Sequence, residues 1–404
     1  MLTQHNSNQK AHSTESAWSI FLIFLRLGLT SFGGPVAHIA YFRDELITRR
    51  RWLNEQQYAD LLALCHFLPG PSSSQVSIGL GISQAGYAGA FAAWFGFTMP
   101  SALLLILFAV GLTHYQEMVP STALRGLAIV AVAVIVQAVW GMGRSLCPDK
   151  PRITLMIAVS CFLLFFPSSW AQILAILSAA LIGLLVCKPE KNQQHQPLNI
   201  SITRQQGAIW ISLFFVLLFT LPLLLELVPT QSVQLFDSFY RAGSLVFGGG
   251  HVVLPLLQAE TVQNGLLTEE VFLAGYGAAQ AVPGPLFTFA AFLGAAINGT
   301  SNTFITAIIC LIAIFIPSFL LIAGALPFWE KLRHQSQIRA ALMGVNAAVV
   351  GLLLAALYSH AWVGAIQSSQ DFVLMLIALT ALTVWKLPPW FVVISGSTIA
   401  WVVL

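Results

Sequence analysis

The sequence has few charged residues and lacks the common catalytic motifs. Charged residues make up 8% of the 404-residue chain, against about 25% in a typical soluble domain. The net charge of +3 is too small to favour nucleic acid as a partner. The chain has no G-x-x-x-x-G-K-[ST] loop, no H-E-x-x-H zinc motif and no G-x-S-x-G nucleophile motif. We therefore expect no enzyme, no ATP-driven motor, no cofactor and no metal site.

Cysteine is also scarce. The five cysteines are scattered, and no two form a C-x-x-C pair. Their odd number and wide spacing indicate neither a disulfide framework nor a metal cluster. Several lie in apolar runs, so we interpret them as packing residues.

Apolar residues dominate what is present. They make up 57% of the chain, and apolar stretches recur from Ala17 to Leu404. Such stretches are typical of transmembrane helices. The sequence therefore predicts an all-α polytopic membrane protein embedded in the lipid bilayer, with no separate soluble domain.

An internal repeat organises the chain. Residues 24–35 align with residues 239–250, and Pro-Gly-Pro at 69–71 aligns with Pro-Gly-Pro at 283–285. Pro-Ser at 100–101 likewise recurs at 317–318. Several anchors in the same order, about 215 residues apart, indicate two homologous halves.

The repeat predicts the domain organisation. The predicted parts are a cytoplasmic N-terminal tail (1–16), a first repeat (17–187), a polar cytoplasmic linker (188–206), a connecting transmembrane helix (207–228) and a second repeat (236–404). The tail has no small-residue cleavage site after a charged leader, so we expect it to be retained.

Loop charges indicate that the two repeats are inverted. Loop 43–51 has four arginines, whereas its counterpart 260–270 has no Lys or Arg. Loop 112–120 has none, whereas its counterpart 330–339 has three. The bias reverses again between residues 144–152 and 359–370. By the positive-inside rule the halves have opposite orientation, and the single connecting helix allows this. We expect the N-terminus in the cytoplasm and the C-terminus outside.

Counting the membrane crossings between positive loops predicts re-entrant hairpins. Residues 55–83 must enter the membrane and return, turning at the first Pro-Gly-Pro. Residues 269–298 turn at the second, and residues 236–259 turn at the triple glycine 248–250. We therefore expect two broken hairpins and four spans in each half, with the last two spans short.

The broken segments are the first candidate site. Pro and Gly inside a helix cost about 3 and 1 kcal/mol, and non-helical backbone at membrane depth is tolerated where it is buried or lines a watery cavity. Each break exposes backbone N–H groups at the start of a half-helix, which can hold an anion. We expect the four paired breaks to meet at a central cavity. The alternative is a set of helix kinks packed against neighbouring helices.

Two arginines in apolar segments are the second candidate site. Arg26 and Arg241 occupy equivalent positions, and an arginine at the membrane centre costs about 2.5–3.5 kcal/mol on insertion scales. A guanidinium group suits a tetrahedral oxyanion. Alternatively, these arginines snorkel to the membrane surface or hold the free carbonyls of a broken helix.

Polar residues flank the breaks. Hydroxyl and amide groups could complete the shell of an anion, although the serines could equally be helix N-caps. These residues are Ser72, Ser73, Ser74, Gln75, Gln280 and Thr288. Three histidines, His38, His66 and His251, are candidates for proton coupling, with a satisfied core histidine as the alternative.

At the level of motifs, the chain resembles the chromate ion transporter family. The resemblance rests on residues 24–35, the Arg-rich loop ending in Arg51-Trp52-Leu53, Leu68-Pro69-Gly70-Pro71, and the second copy of these motifs. It covers nearly the whole chain, as in the long, two-domain members. It implies functional importance for Phe32, Gly33, Gly34, Pro35, Pro69, Gly70, Pro71, Phe247, Gly248, Gly249, Pro283, Gly284 and Pro285. Gly250 stands where the first half has Pro35, so strict two-fold equivalence is in doubt; it remains a candidate site residue.

The resemblance implies export of chromate across a bacterial inner membrane, with sulfate as a similar substrate. We therefore expect a secondary transporter that works by alternating access and confers chromate resistance, as a monomer or homodimer. An oxyanion channel is the nearest alternative, and a membrane-embedded sensor or enzyme is a more distant one.

Overall fold

The protein is all-helical in the part of the chain that the computed structural model describes. This part comprises residues 15–114, 121–188, 202–247, 250–297, 302–329 and 335–403, and it contains no β-strand. The first half contains α1 (Ala17–Thr30), α2 (Gly34–Phe42), α3 (Glu55–Phe67), α4 (Ser72–His114), α5 (Ser121–Leu146), α6 (Lys150–Phe165) and α7 (Ser169–Val186). The connecting helix is α8 (Arg204–Leu227). The second half contains α9 (Gln231–Leu245), α10 (Val253–Thr261), α11 (Glu269–Ala281), α12 (Phe289–Ala296), α13 (Thr303–Ala325), α14 (Ser336–Ala356), α15 (Ser369–Thr383) and α16 (Pro389–Val403).

Five of the described helices are long and apolar enough to cross a membrane. They are Ser72–His114, Thr122–Leu146, Arg204–Leu227, Thr303–Phe328 and Ser336–Ala365. Shorter apolar helices accompany them. Several apolar side chains of α8 point outward, with Leu227 80% exposed, as expected for a helix that faces lipid. The prediction of an all-α, multi-pass membrane protein is confirmed.

The longest helix, α4, contains a sharp reversal. Ala85 and Gly86 have non-helical backbone angles. Residues eight apart in a straight helix are about 12 Å apart, yet a Cβ added to Gly81 would lie 2.3 Å from the Gly89 oxygen. The chain therefore folds back at this point, and the two glycines let its two arms approach closely.

A second reversal occurs at each Pro-Gly-Pro. In the first half, a Cβ added to Gly79 would lie 2.6 Å from Leu61, so α3 packs against the start of α4. In the second half, a Cβ added to Gly275 would lie 2.0 Å from the Phe292 ring, so α11 packs against α12. The repeat pairs Leu61 with Gly275, and it places Gly79 at the position of Leu293, next to Phe292. In both halves the two arms thus approach closely where a glycine of one arm faces a large side chain of the other.

Side-chain caps fix where these hairpin arms begin. The Asn54 side chain accepts a hydrogen bond from the Gln57 N–H at the start of α3. The equivalent Thr268 accepts one from the Val271 N–H at the start of α11. Such caps stabilise a helix start by about 1 kcal/mol. With 13 residues each, the two arms are about 20 Å long, shorter than the roughly 30 Å hydrocarbon core.

Helices of each half pack against helices of the other half. Helix α5 packs against α15 and α16, whereas its counterpart α14 packs against α6 and α7. Close approach at glycines makes this possible: a Cβ on Gly126 would lie 2.9 Å from the Ser397 Cα, and one on Gly344 would lie 2.9 Å from the Gly183 Cα. Gly126 and Gly344 are equivalent in the repeat. Each half thus uses an equivalent glycine for close packing against the last two helices of the other half.

Candidate functional site

A cavity of about 650 Å³ lies beside the break between α1 and α2. Its walls come from both halves and include the turn between α15 and α16. The lining residues are Phe32, Gly33, Gly34, Tyr41, Val134, Gln137, Ala138, His251, Gln280, Leu382, Thr383, Lys386, Leu387, Pro388, Pro389 and Trp390. The cavity can therefore admit a small anion together with several water molecules.

The break itself forms one wall of this cavity. Gly33 and Gly34 have φ angles of 100° and 75°, which glycine adopts without strain. Pro35 lies in the first turn of α2, where its missing N–H costs nothing. The N-terminus of α2 has no side-chain cap. Its N–H groups and the positive end of the helix dipole are therefore available to an anion.

Two residues named from the sequence lie in the opposite wall. The His251 Nδ1 is 2.6 Å from the Tyr276 hydroxyl. Gln280 also lines the cavity, but its Nε2 atom is buried within the protein, where the side chain is hydrogen-bonded to Tyr276. The donors that face the cavity at the break are therefore the helix-end N–H groups.

Several residues of this cavity are not evident from the sequence motifs, among them Gln137, Lys386 and Trp390. The Trp390 ring lies 6.2 Å from the Phe32 ring, centroid to centroid, and both rings also line an adjoining cavity of about 420 Å³ that includes Pro283. Lys386 is a single lysine between two apolar segments. That isolation is the sequence signal that points to Lys386.

The two Pro-Gly-Pro breaks are bonded to the other half. The Gly70 N–H donates to the Val246 oxygen at 2.6 Å, and the Gly284 N–H donates to the Ser31 oxygen at 3.0 Å. Ser31 and Val246 are equivalent positions, each directly before a Phe-Gly-Gly motif. Each Pro-Gly-Pro break therefore bonds the opposite Phe-Gly-Gly segment. In this conformation protein carbonyls occupy both N–H groups.

We call these two contacts, each between a Pro-Gly-Pro break and the opposite Phe-Gly-Gly segment, the joints. A serine packs against the glycine of each joint. A Cβ added to Gly70 would lie 2.8 Å from the Ser318 Oγ, and one added to Gly284 would lie 2.7 Å from the Ser101 Oγ. The first joint also contains a hydrogen bond of 2.6 Å from the Gln75 Nε2 to the Pro69 oxygen. The breaks are thus held by hydrogen bonds and close packing.

The polar run after the first Pro-Gly-Pro is buried at the start of α4. It comprises Ser72, Ser73, Ser74 and Gln75, which follow Pro71. In the second half, the Thr288 hydroxyl donates to the Pro285 oxygen at 2.7 Å. These side chains lie beside the joints, outside the wall of the 650 Å³ cavity.

The two predicted arginines lie outside this wall and differ from each other. Arg241 forms an ion pair with Asp237, which is 1% exposed. It also lines a separate cavity of about 90 Å³ with Glu260. Arg26 is exposed. Their contact with an anion stays a prediction.

Arg26 lies near a cluster of charged residues that includes Glu45, Arg49 and Arg50. Burial alone raises the pKa of the Glu45 carboxyl, but the hydrogen bond from Arg50 and the charges of Arg50, Arg49 and Arg26 bring the pKa below its usual value. Glu45 and Glu260 are equivalent in the repeat. Each half thus places a carboxylate near its arginine.

The other two histidines lie away from the cavity. His38 is buried, with its Nε2 3.2 Å from the Ser31 oxygen. His66 is exposed. Gly248 and Gly249 lie outside the described residues, whereas Phe247 is half-buried and Gly250 begins a 3-10 turn before α10.

A much smaller cavity occupies the equivalent place in the other half. Its volume is about 60 Å³. The lining residues are Leu163, Leu164, Pro167, Ser168, Gln172, Pro255, Gln263, Leu352, Ala355, Ala356 and Ser359. The repeat relates four of them, Pro255, Leu352, Ala355 and Ala356, to Tyr41, Val134, Gln137 and Ala138 of the larger cavity. Among the described residues, the same architectural position thus holds a large cavity in one half and a small one in the other.

Comparison with known proteins agrees with the resemblance in the motifs. The chromate transporter family model matches residues 18–184 and again residues 233–401. A chromate transport protein of Pseudomonas aeruginosa is 31% identical, over 83% of this chain and 78% of its own length. A probable chromate transport protein of Synechococcus elongatus is 28% identical over 93% and 92%. An uncharacterized transporter of Methanocaldococcus jannaschii is 26% identical over 87% and 86%.

No solved structure matches the chain significantly. The family assignment therefore rests on sequence. The two matched segments cover most of the chain and correspond to the two halves of the repeat. The chain belongs to the chromate transporter family.

Proposed function

We propose that this protein exports chromate, or a similar tetrahedral oxyanion such as sulfate, from the bacterial cytoplasm by alternating access. The observation that carries the proposal is the pair of equivalent cavities, of about 650 and 60 Å³. In a transporter built from two inverted repeats, each half forms the access path on one side of the membrane. One open and one closed path is the arrangement expected of a single state in that cycle.

The proposed topology places the open cavity on the cytoplasmic side. Arg144, Lys150 and Arg152 lie at the end of α5 and the start of α6, and the positive-inside rule assigns such residues to the cytoplasm. Lys386 lies in the α15–α16 turn beside the open cavity, consistent with the same side. The N-terminus is then inside, the C-terminus is outside, and the two broken hairpins of each half are re-entrant.

The proposed anion site is the wall formed by Phe32, Gly33 and Gly34, opposite His251 and Gln280. The N–H groups of the break and the α2 dipole supply positive potential there without a buried charge. The Pro-Gly-Pro breaks, Ser72 and Ser73 support this wall through the joints. Arg26 and Arg241 are proposed to act when the two halves move, and His251 is the best placed candidate for proton coupling.

The names of the relatives support chromate as the substrate class. Both halves contribute to the open cavity, so a monomer is sufficient for the proposed cycle, and a homodimer is not required. The domain limits proposed above, 17–187 and 236–404, place the two cavities at equivalent positions of the two repeats. Conferral of chromate resistance follows if export exceeds entry.

Uptake into everted membrane vesicles tests the proposal. Vesicles containing the protein are expected to accumulate chromate saturably, to be inhibited by sulfate, and to take up labelled chromate faster when preloaded with sulfate. Acceleration by preloading is a property of a carrier that alternates between two states. Uptake that neither saturates nor responds to preloading would support a channel, and no uptake of either anion would contradict the proposal.

A further inference from the structure

Lys386 stands out in the open cavity because of its backbone conformation. It has a φ angle of 53°, in the left-handed region that favours glycine. The turn requires this conformation: the Trp385 N–H donates to the Thr380 oxygen at 3.2 Å, and the Leu387 N–H donates to the Ala381 oxygen at 2.9 Å, which closes the end of α15. Glycine is the usual residue at such a helix end. A lysine that takes this place at a cost in strain indicates a role for its side chain.

Lys386 also supplies the charge of the cavity. Among the lining residues, all of which the structure describes, it is the single Lys or Arg, and there is no Asp or Glu. Within the described part of the chain, its ammonium group takes part in no ion pair. A charge in a cleft with low-dielectric walls focuses its field into the cleft and concentrates counter-ions there. The open cavity is therefore attractive to anions before they reach the helix break.

The equivalent turn of the other half has no such charge. The small cavity is lined by Pro167 and Ser168, and residues 166–168 between α6 and α7 contain no ionisable side chain. The two access paths therefore differ in electrostatics as well as in volume. A fixed cation on one path favours binding from that side.

We propose that Lys386 determines the affinity and charge selectivity of anion loading from the cytoplasm, an inference that rests on the proposed export function. Its ammonium group attracts a dianion about twice as strongly as a monoanion at the same distance. Lys386 therefore favours divalent oxyanions, such as chromate and sulfate at alkaline pH, over monovalent tetrahedral anions such as perrhenate. This preference acts on binding and not on the conformational change.

The experiment compares Lys386→Gly, Lys386→Gln and Lys386→Arg in everted vesicles. Glycine removes the charge and suits the turn, so Lys386→Gly keeps the fold, and its thermal stability in detergent is expected to equal or exceed that of the wild type. Lys150→Gln is the matched control, because Lys150 lies on the same proposed side but outside the cavity.

The chromate KM is expected to depend on the side-chain charge at position 386. Lys386→Gly and Lys386→Gln raise the chromate KM about tenfold or more, as for loss of a charged partner, with the maximal rate within about twofold. Inhibition by sulfate weakens more than inhibition by perrhenate. Lys386→Arg and Lys150→Gln stay near the wild-type KM.

The outcomes separate this inference from the proposed function. Saturable wild-type uptake with an unchanged KM in Lys386→Gly would overturn the role of Lys386 alone. A fall in maximal rate at constant KM would also overturn it, because it would show a structural role. Absence of saturable uptake by the wild type would overturn both proposals.

Discussion

The two cavities at equivalent positions of the two halves differ more than tenfold in volume, about 650 against 60 Å³. The helices around them pack in the same way: α5 against α15 and α16, and α14 against α6 and α7. Reciprocal glycine contacts at Gly126 and Gly344 hold both pairs. Two repeats can therefore share their helix contacts and still enclose cavities of very different volume.

Substitution of the glycines at the joints is expected to cause the largest loss of stability. Gly70 and Gly284 have φ angles of 124° and 106°, and an added Cβ would lie within 3 Å of Ser318 or Ser101, respectively. Gly70→Ala and Gly284→Ala are expected to destabilise the protein by about 2–6 kcal/mol, because backbone strain and overpacking add. Thermal unfolding in detergent measures this.

Gly265→Ala provides the control for this prediction. Gly265 has a φ angle of 72°, but nothing lies within 4 Å of an added Cβ. Backbone strain alone is expected to lower the free energy of unfolding of Gly265→Ala by about 1–2 kcal/mol. Equal effects at Gly265 and Gly284 would contradict the importance of close packing at the joints.

Substitution of the two arginines is expected to give the next largest loss of stability, and the loss should differ between them. Arg241→Ala leaves the buried Asp237 carboxylate without its partner and is expected to cost about 2–4 kcal/mol of stability. Arg26→Ala is expected to cost less than about 0.5 kcal/mol, because Arg26 is exposed. Unfolding of the two purified variants compares them.

The double variant Asp237→Asn, Arg241→Ala separates stability from binding. It removes both charges, so stability is expected to recover while any contact of Arg241 with the anion stays lost. Full recovery of chromate uptake together with stability would show that Arg241 has only a structural role.

The glycine contacts between the hairpin arms are expected to give the smallest loss of stability. Gly275→Ala would bring a Cβ to 2.0 Å from the rigid Phe292 ring, with an expected cost of about 1–3 kcal/mol of stability. In the first half, Gly79→Ala meets the flexible end of Leu61, so a cost of less than about 1 kcal/mol is expected. Adding Phe292→Leu is expected to recover the stability of Gly275→Ala. A larger loss in Gly79→Ala than in Gly275→Ala would contradict this packing.

Local composition predicted much of the fold. Apolar stretches and prolines indicate where helices lie: α8, Arg204–Leu227, falls in an apolar stretch, and the Pro-Gly-Pro at residues 69–71 lies between α3 and α4. These features depend on hydropathy and on the helix-breaking property of Pro and Gly, which are visible residue by residue.

The non-local features could not be predicted in the same way. The bonds from Gly70 to Val246 and from Gly284 to Ser31 join residues far apart in sequence. Lys386 enters the cavity because a positive φ turns the chain at the end of α15, and nothing in the residue type signals that conformation.

Thiol labelling of an equivalent pair tests the exchange of access most directly. Ala138 lines the open cavity and Ala356 the closed one, and Ala356 is 5% exposed. Each is replaced by cysteine in a variant whose five native cysteines are replaced by alanine. A membrane-impermeant thiol reagent is then applied from each side, with and without sulfate, which does not oxidise thiols.

Without sulfate, Ala138→Cys is expected to react from the cytoplasmic side, and Ala356→Cys is expected to be protected. Saturating sulfate is expected to slow labelling of Ala138→Cys and to accelerate labelling of Ala356→Cys from the outside. Equal labelling of the two cysteines without sulfate, or a change in the same direction at both, would contradict alternating access through these two cavities.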